Sequence, residues 1–127
     1  MKINEITNEV IGSAIEVHKE LGPGLLESAY EECLAYELKE KGLDIERQKE
    51  LPIKYKQVQL DLSYRLDIVV EKNVIVELKS VESLLPIHTA QLLSYLKLSE
   101  LEVGLLINFN VSQLKKGVKR VVNEYTE

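Results

Sequence analysis

The chain has one cysteine, three prolines and two histidines among 127 residues, and no apolar run approaching the ~20 residues that span a bilayer. A lone cysteine excludes an internal disulfide. Cys33 lies at helical spacing within "EECLAYEL" and reads as a small buried hydrophobe rather than a nucleophile. The N-terminal "MKINEITNEVIGSAIEV" mixes acids with its apolar residues and lacks the continuous apolar core of a signal peptide, so a cytoplasmic protein without membrane association is expected. Repeats of 20 to 50 residues and low-complexity tracts are missing as well, which argues against solenoids and against disorder. So is an excess of positive charge: a formal net charge of −5 is wrong for a non-specific nucleic-acid coat, which needs clustered Lys and Arg. That balance leaves room for an enzyme that touches nucleic acid locally.

What is present fits one globular unit. With 45% hydrophobic and 29% charged residues, residues 1–127 are expected to form a single domain around one core. The cations are unevenly spread. "ERQKELPIKYK" holds Arg47, Lys49, Lys54 and Lys56, and "LKKGVKR" holds Lys115, Lys116, Lys119 and Arg120. Each group is either a binding patch or a solvated face.

Apolar residues at Ile3, Ile6, Val10, Ala14, Val17 and Leu21 write one stripe along a first helix. Gly22, Pro23 and Gly24 break it, and a second periodic run stops at Gly42, a natural C-terminal cap. The pattern then turns β-like. "IERQKELPIKYKQVQL" contains Pro52, which cannot donate to a ladder and marks an edge or bulged strand, while "YRLDIVV" and "NVIVELKSV" are rich in β-branched residues. "LLPIHTAQLLSYLKLSE" returns to helical spacing, "EVGLLINF" has buried-strand length, and "VSQLKKGVKRVVNEY" reads as a closing amphipathic helix. The expected order is α-α-β-β-β-α-β-α, an α/β fold with a central mixed sheet flanked by helices.

Three charges interrupt the apolar strands: Asp67, Glu77 and Lys79. Glu77 and Lys79 are two apart and project from one face, opposite Val76 and Leu78. A two-residue loop Lys72-Asn73 would set Asp67 against Leu78, whereas a three-residue loop Glu71-Lys72-Asn73, with Asn73 taking the left-handed position, pairs Asp67 with Glu77. The second register is favoured. Opposed carboxylates in an apolar sheet are costly unless a cation or a shared proton compensates them, and hard oxygen ligands of this kind suit Mg²⁺ or Mn²⁺. Lys79 beside such an ion would orient or deprotonate a water, or stabilise charge developing on phosphorus.

Asp67, a nine-residue spacer and Glu77-Leu78-Lys79 resemble the core signature of the PD-(D/E)XK nuclease superfamily. Gln91 and Tyr95, four apart on one helix face, are similar to the Q-x-x-x-Y motif of its RecB-like branch. Gly24-x-x-Glu27-x-x-Tyr30 resembles the signature of the small GxxExxY proteins grouped with it, as do "HKELGPGLLESAYEECLAYEL", "VIVELKSV", "QLLSYL" and "VGLLINF" in that order. Gln57 departs from the glycine expected after "YK". The resemblance implies a restriction-endonuclease-like core, Asp67 and Glu77 as metal ligands, and a further acid from an early helix, which Glu27 matches. It makes Glu27, Asp67, Glu77, Lys79, Gln91 and Tyr95 the candidate catalytic set, with Mg²⁺ or Mn²⁺ as cofactor. Lys115, Lys116, Lys119 and Arg120 are the candidate substrate-binding residues, and the expected partner is nucleic acid, DNA ahead of RNA.

Each site residue also has a plainer reading. The acids and Lys79 would make an ion-pair ladder, Glu27 a first-turn acid favoured by the helix dipole, and Gln91 and Tyr95 core-edge residues. His18 reads as a capping or packing histidine and His88 as a residue at the pocket rim. Three functions remain in play: a metal-dependent nuclease, a catalytically silent nuclease-like binding module, and an assembly domain working as a homo-oligomer.

Overall fold

In the structure, a computed structural model in which residues 1–124 are described, helices α1 (Ile3–Leu21) and α2 (Glu27–Glu40) precede strands β1 (Ile45–Tyr55), β2 (Val58–Val70) and β3 (Val74–Lys79). Helix α3 (Pro86–Ser99), strand β4 (Val103–Asn108), a 3-10 turn (Leu114–Gly117) and strand β5 (Val118–Val122) follow. The sheet order is β1-β2-β3-β4-β5; only β3 and β4 run parallel, joined through α3, and the other neighbours are antiparallel. This is the expected mixed sheet with helices on both faces.

The alternation of the strands divides the core between those faces. Ile68, Val70, Val76, Leu78, Leu105 and Ile107 pack under α1 and α2, which contribute Ile6, Val10, Ala14, Val17, Leu34 and Leu38. Val69, Ile75 and Leu106, one step along the same strands, meet Leu92, Tyr95 and Leu96 of α3. Strand β4 is buried throughout, as a central strand covered on both faces must be. Gly42 follows α2 at φ 78°, the left-handed stop that its position suggested. Pro52 falls on the outermost strand, and the β1–β2 register shifts between Pro52 and Lys54. Cys33 is half-buried and packs against the α1–α2 side of the core. No helix among the described residues is long and apolar enough to cross a membrane.

The closing amphipathic helix expected over residues 111–125 is corrected. Residues 114–117 form the short 3-10 turn and Val118–Val122 a strand paired to β4, while Tyr125 lies outside the described residues. Val118 and Val121 share a side on a helix, but on a strand a spacing of three puts them on opposite faces. Here Val118 packs toward α1 and α2, and Val121 toward α3. The β4 edge decides the matter, because its buried backbone groups need a ladder partner that a helix does not supply.

Gly117 makes this turn workable: a Cβ there would overlap the Asn108 carbonyl oxygen, which is main chain and cannot swing away. Gly117→Ala is expected to lower stability by about 3 kcal/mol, measured as a fall in urea midpoint, because either the turn or the end of β4 must move. An unchanged midpoint would mean that the β4-to-turn contact is looser than described.

Candidate active site

The β2–β3 hairpin pairs Val70 with Val74, Val69 with Ile75 and Ile68 with Val76. That is the three-residue-loop register. Its turn chemistry differs from expectation: the left-handed residues are Glu71 and Lys72, with φ 54° and 55°, and not Asn73. Asn73 N–H donates to the Val70 carbonyl, closing a tight turn whose two central residues have the left-handed sense that suits strand twist. Ties to Asp44 hold Glu71 in this conformation. Its N–H donates to the Asp44 carbonyl at 2.7 Å, and its Oε2 accepts the Asp44 N–H at 2.6 Å.

Past Ile68 and Val76 the ladder hydrogen bonds stop, and carboxylates take their place. Glu77 Oε2 accepts the Asp67 N–H at 2.7 Å, and Asp67 Oδ2 accepts the Leu78 N–H at 2.8 Å. Each acid thus satisfies the other strand's backbone, and the two side chains are locked together where β2 and β3 part. Glu77 is buried and its carboxyl is pushed up to about 8, first by burial and then by Asp67, with Lys79 opposing. Asp67 is raised as well, by burial above all; the Leu78 N–H and Lys79 pull it down, while Glu31 and Glu27 push it up. Lys79 is half-buried on the Glu77 side of β3. Without a further cation, this centre holds Glu77 largely protonated near neutral pH.

Glu31 is a residue the sequence reading missed. It is buried, one helical turn after Glu27, and its Oε1 accepts Gln48 Nε2 at 2.6 Å. The same Gln48 nitrogen lies 3.5 Å from Asp67 Oδ1, so an amide links the α2 acid to the β2 acid. Arg47 Nε and Nη2 reach Glu31 Oε2 at 3.1 and 2.9 Å, and Nη2 also meets Glu32 at 2.7 Å. Adjacent residues on a strand normally point to opposite faces. Arg47 and Gln48 both reach Glu31 because Gln48 is left-handed, at φ 49°, where the β1–β2 ladder skips the Gln48–Asp67 pair. Arg47→Ala leaves Glu31 without its charge partner; because Arg47 is partly exposed, the expected loss is about 2 kcal/mol, below the range for fully buried pairs. Urea unfolding at neutral pH measures it, and a loss under about 0.5 kcal/mol would show Glu31 to be adequately held by Gln48 alone.

Glu27 opens α2 and is exposed; its Oε2 faces Ser80 N–H at 3.4 Å, immediately after Lys79. Tyr95 enters from α3. It is buried, its ring lies 5.2 Å from that of Tyr64, and burial followed by Glu77 raises its hydroxyl pKa. Gln91 stands one turn earlier and is exposed, with no hydrogen bond to the acids among the described residues. Among the described residues, no three acidic, histidine or cysteine side chains form a ready metal cage, since Glu27 turns to Ser80 and Glu31 to β1.

A family model of the PD-(D/E)XK nuclease superfamily matches residues 4–121. The chain belongs to that superfamily. No curated protein and no solved structure matches it.

Within this superfamily member, the Gly24 to Tyr30 motif divides its work. Gly22 and Gly24 adopt φ 70° and 93° around Pro23, which turns the chain between the helices. Tyr30 is fully buried, stacked on Phe109 at 4.3 Å; its hydroxyl donates to the Gly22 carbonyl at 2.6 Å and accepts the Leu25 N–H at 3.1 Å. The Leu25 carbonyl in turn accepts Ser80 Oγ at 2.6 Å. Tyr30 therefore fixes the loop that presents Glu27 beside the end of β3. Asn108, also buried, clamps the segment after Lys79 from the other side: its Oδ1 accepts the Val81 N–H and its Nδ2 donates to the Val81 carbonyl.

The remaining candidates separate. His18 Nε2 donates to the Val111 carbonyl at 2.8 Å, a packing role. His88 Nδ1 accepts the Leu85 N–H at 3.0 Å and finishes the first turn of α3. Lys115, Lys116, Lys119 and Arg120 are all exposed but do not share a helix face. Lys115 and Lys116 sit on the 3-10 turn beyond the end of β4, Lys119 borders Leu84 and Pro86 on the α3 side, and Arg120 points to α1, where Asn4 Oδ1 and Thr7 Oγ1 accept from it.

Proposed function

We propose that this chain is a divalent-metal-dependent nuclease that hydrolyses phosphodiester bonds. The observation that supports it is the pair of buried Glu77 and half-buried Asp67, cross-linked through each other's backbone and short of positive charge, with Lys79 on the same face. A structural ion-pair ladder would not bury one acid against another. The fit to Mg²⁺ or Mn²⁺ rests on the donor set: two hard carboxylates, which is as many as such ions take when waters and substrate phosphate complete the shell. The missing third protein ligand is compatible with that chemistry. Bound there, the ion supplies charge neutralisation and Lewis-acid polarisation of a phosphate oxygen.

The chain's own residues do the rest. Asp67 and Glu77 would hold the ion, and Glu77 would give up its proton to solvent on binding, so affinity would rise with pH. Lys79, two steps along β3 from Glu77, would orient the attacking water or stabilise the charge that builds on phosphorus. Glu27, beside Ser80, is placed to hold a water or a further ion. Tyr95 closes the α3 side of the centre, and Gln91 reaches toward substrate. Gln48 and Arg47 hold Glu31, which keeps Asp67 oriented. Lys115 and Lys116 meet phosphates at the C-terminal end of β4, and the nucleic acid is DNA ahead of RNA.

The test is incubation of labelled single- and double-stranded DNA and RNA with the protein in Mg²⁺ or Mn²⁺, against an EDTA control. Metal-dependent product that disappears in Asp67→Asn supports the reading. Tight binding without any product, together with no Mn²⁺ binding by calorimetry, rejects it in favour of a silent nuclease-like binding module.

A further inference from the structure

Strand β2 pairs with β3 only from Ile68 to Val70, yet it stays paired with β1 all the way to Tyr55 and Val58. The β1–β2 ribbon therefore runs beyond the sheet, and the path along β2 from Asp67 to Val58 is on the order of 30 Å at ~3.3 Å per residue. No helix covers most of it: Tyr55, Val58, Leu62 and Tyr64 are 44 to 66% exposed. Two properties distinguish this ribbon. First, residues 49–65 carry four cations and two acids, a net +2 on a chain of −5. Lys49 and Arg65 are paired with Glu46 and Glu50, but Lys54 and Lys56 at the tip make no ion pair among the described residues, and Lys56 sits 5.5 Å above the Tyr55 ring. Secondly, the ribbon's base lies at the candidate active site: Tyr64 is three residues before Asp67 on β2, and its ring meets that of Tyr95.

We infer that the β1–β2 ribbon is a nucleic-acid docking arm, with Lys54 and Lys56 on the sugar–phosphate backbone and the exposed Tyr64 ring guiding a strand toward Asp67 and Glu77. The inference rests on the nuclease reading for what happens at the site, but binding by the arm does not depend on cleavage. A two-stranded ribbon is narrow enough to enter a major groove, and exposed tyrosines give flat surfaces on which unpaired bases stack. A second copy of the chain is the competing occupant, since Val58 and Leu62 are apolar. Charge disfavours it: an isologous contact would bring the unpaired Lys54 and Lys56 of two copies together, with Asp61 the only acid between Leu51 and Tyr64 to offset them.

Fluorescence anisotropy in EDTA, with duplex DNA, single-stranded DNA and single-stranded RNA of equal length, tests the arm and separates the three sources of phosphate backbone. The double variant Lys54→Ala/Lys56→Ala is expected to raise Kd about tenfold on the preferred nucleic acid and to reduce the slope of log K against log salt by about 2. Tyr64→Ala is expected to raise Kd with little change in slope. Both lysines are exposed and unpaired, so the double variant should keep the wild-type melting temperature. Wild-type values of Kd and slope in the double variant, or a wild-type protein that binds none of the three probes, overturn the inference. So does a wild-type dimer that Leu62→Asp converts to monomer with unchanged nucleic-acid binding. Ribbon-dependent binding with no metal-dependent cleavage would overturn the nuclease reading alone.

Discussion

A Lys79→Ala protein is expected to fold, to bind Mn²⁺ and to cleave about 10³-fold more slowly than wild type, a loss in line with removing one preorganised charge-stabilising group. Folding should survive because the structural contribution of residue 79 is main chain: its carbonyl accepts the Phe109 N–H, and its backbone pairs with Asn108. The side chain has an electrostatic effect of its own, lowering the proton affinity of both Asp67 and Glu77. Its removal should therefore move the pH dependence of Mn²⁺ binding upward, since the acids give up their protons to solvent less readily in exchange for the ion. Lys79→Arg keeps the charge and should restore the pH dependence of binding more fully than it restores the rate, because a guanidinium fork does not reproduce the position of an ammonium. Calorimetry across pH 6 to 9 and single-turnover cleavage separate the two effects. Wild-type rates in Lys79→Ala would sink the mechanism while leaving the family assignment untouched.

The hairpin that carries this site was legible because strand periodicity leaves few registers. Once Glu77 and Lys79 share a face, loop length alone decides whether Asp67 joins them. The position of the strain was not legible. Asn73 is the residue type that best tolerates a left-handed backbone, but the structure puts that conformation at Glu71 and Lys72, where hydrogen bonds to Asp44 from a distant part of the chain outweigh a local penalty of roughly 1 kcal/mol per residue. Tertiary ties overrode residue preference in the same way at Gln48.

Glu31 was missed for a related reason. Its signal exists, four residues after Glu27 and so on the same helix face, but a helix with many acids normally turns most of them to water. Only the turned backbone at Gln48, which aims two neighbouring β1 side chains at one acid, makes Glu31 a buried partner of the site. The last helix failed differently. "VKRVV" suits a helix stripe and a strand about equally, and the deciding factor was the unsatisfied edge of β4, which no local window contains. With that strand in place, Lys119 and Arg120 point to opposite faces and the single basic patch divides.

Glu77→Gln is expected to make the metal-free protein more stable at pH 8 and to abolish its response to metal. In the unfolded chain this carboxyl ionises near 4.5, and in the fold it is pushed up to about 8 by burial and by Asp67. Below about 4.5 it is protonated in both states and has no effect on stability. Between the two values the unfolded chain has released a proton that the folded chain retains, so stability falls as pH rises. Above about 8 the full penalty is present, a few kcal/mol at ~1.4 kcal/mol per pKa unit. Asp67 is raised too and adds to the same trend. Glutamine keeps an oxygen to accept the Asp67 N–H but cannot ionise, so the variant should show a flatter stability profile from pH 5 to 8 and a gain of a few kcal/mol at pH 8. Saturating Mn²⁺ should stabilise wild type at pH 8, by mass action on the folded state, and leave Glu77→Gln unmoved. Urea unfolding with and without EDTA reads each of these; a wild-type profile flat from pH 5 to 8, or a variant less stable than wild type at pH 8, would show the acids to be better solvated than their burial indicates. The same penalty that weakens the metal-free fold at pH 8 would favour cation binding there, because an ion held by Asp67 and Glu77 would relieve a repulsion already built into the sheet.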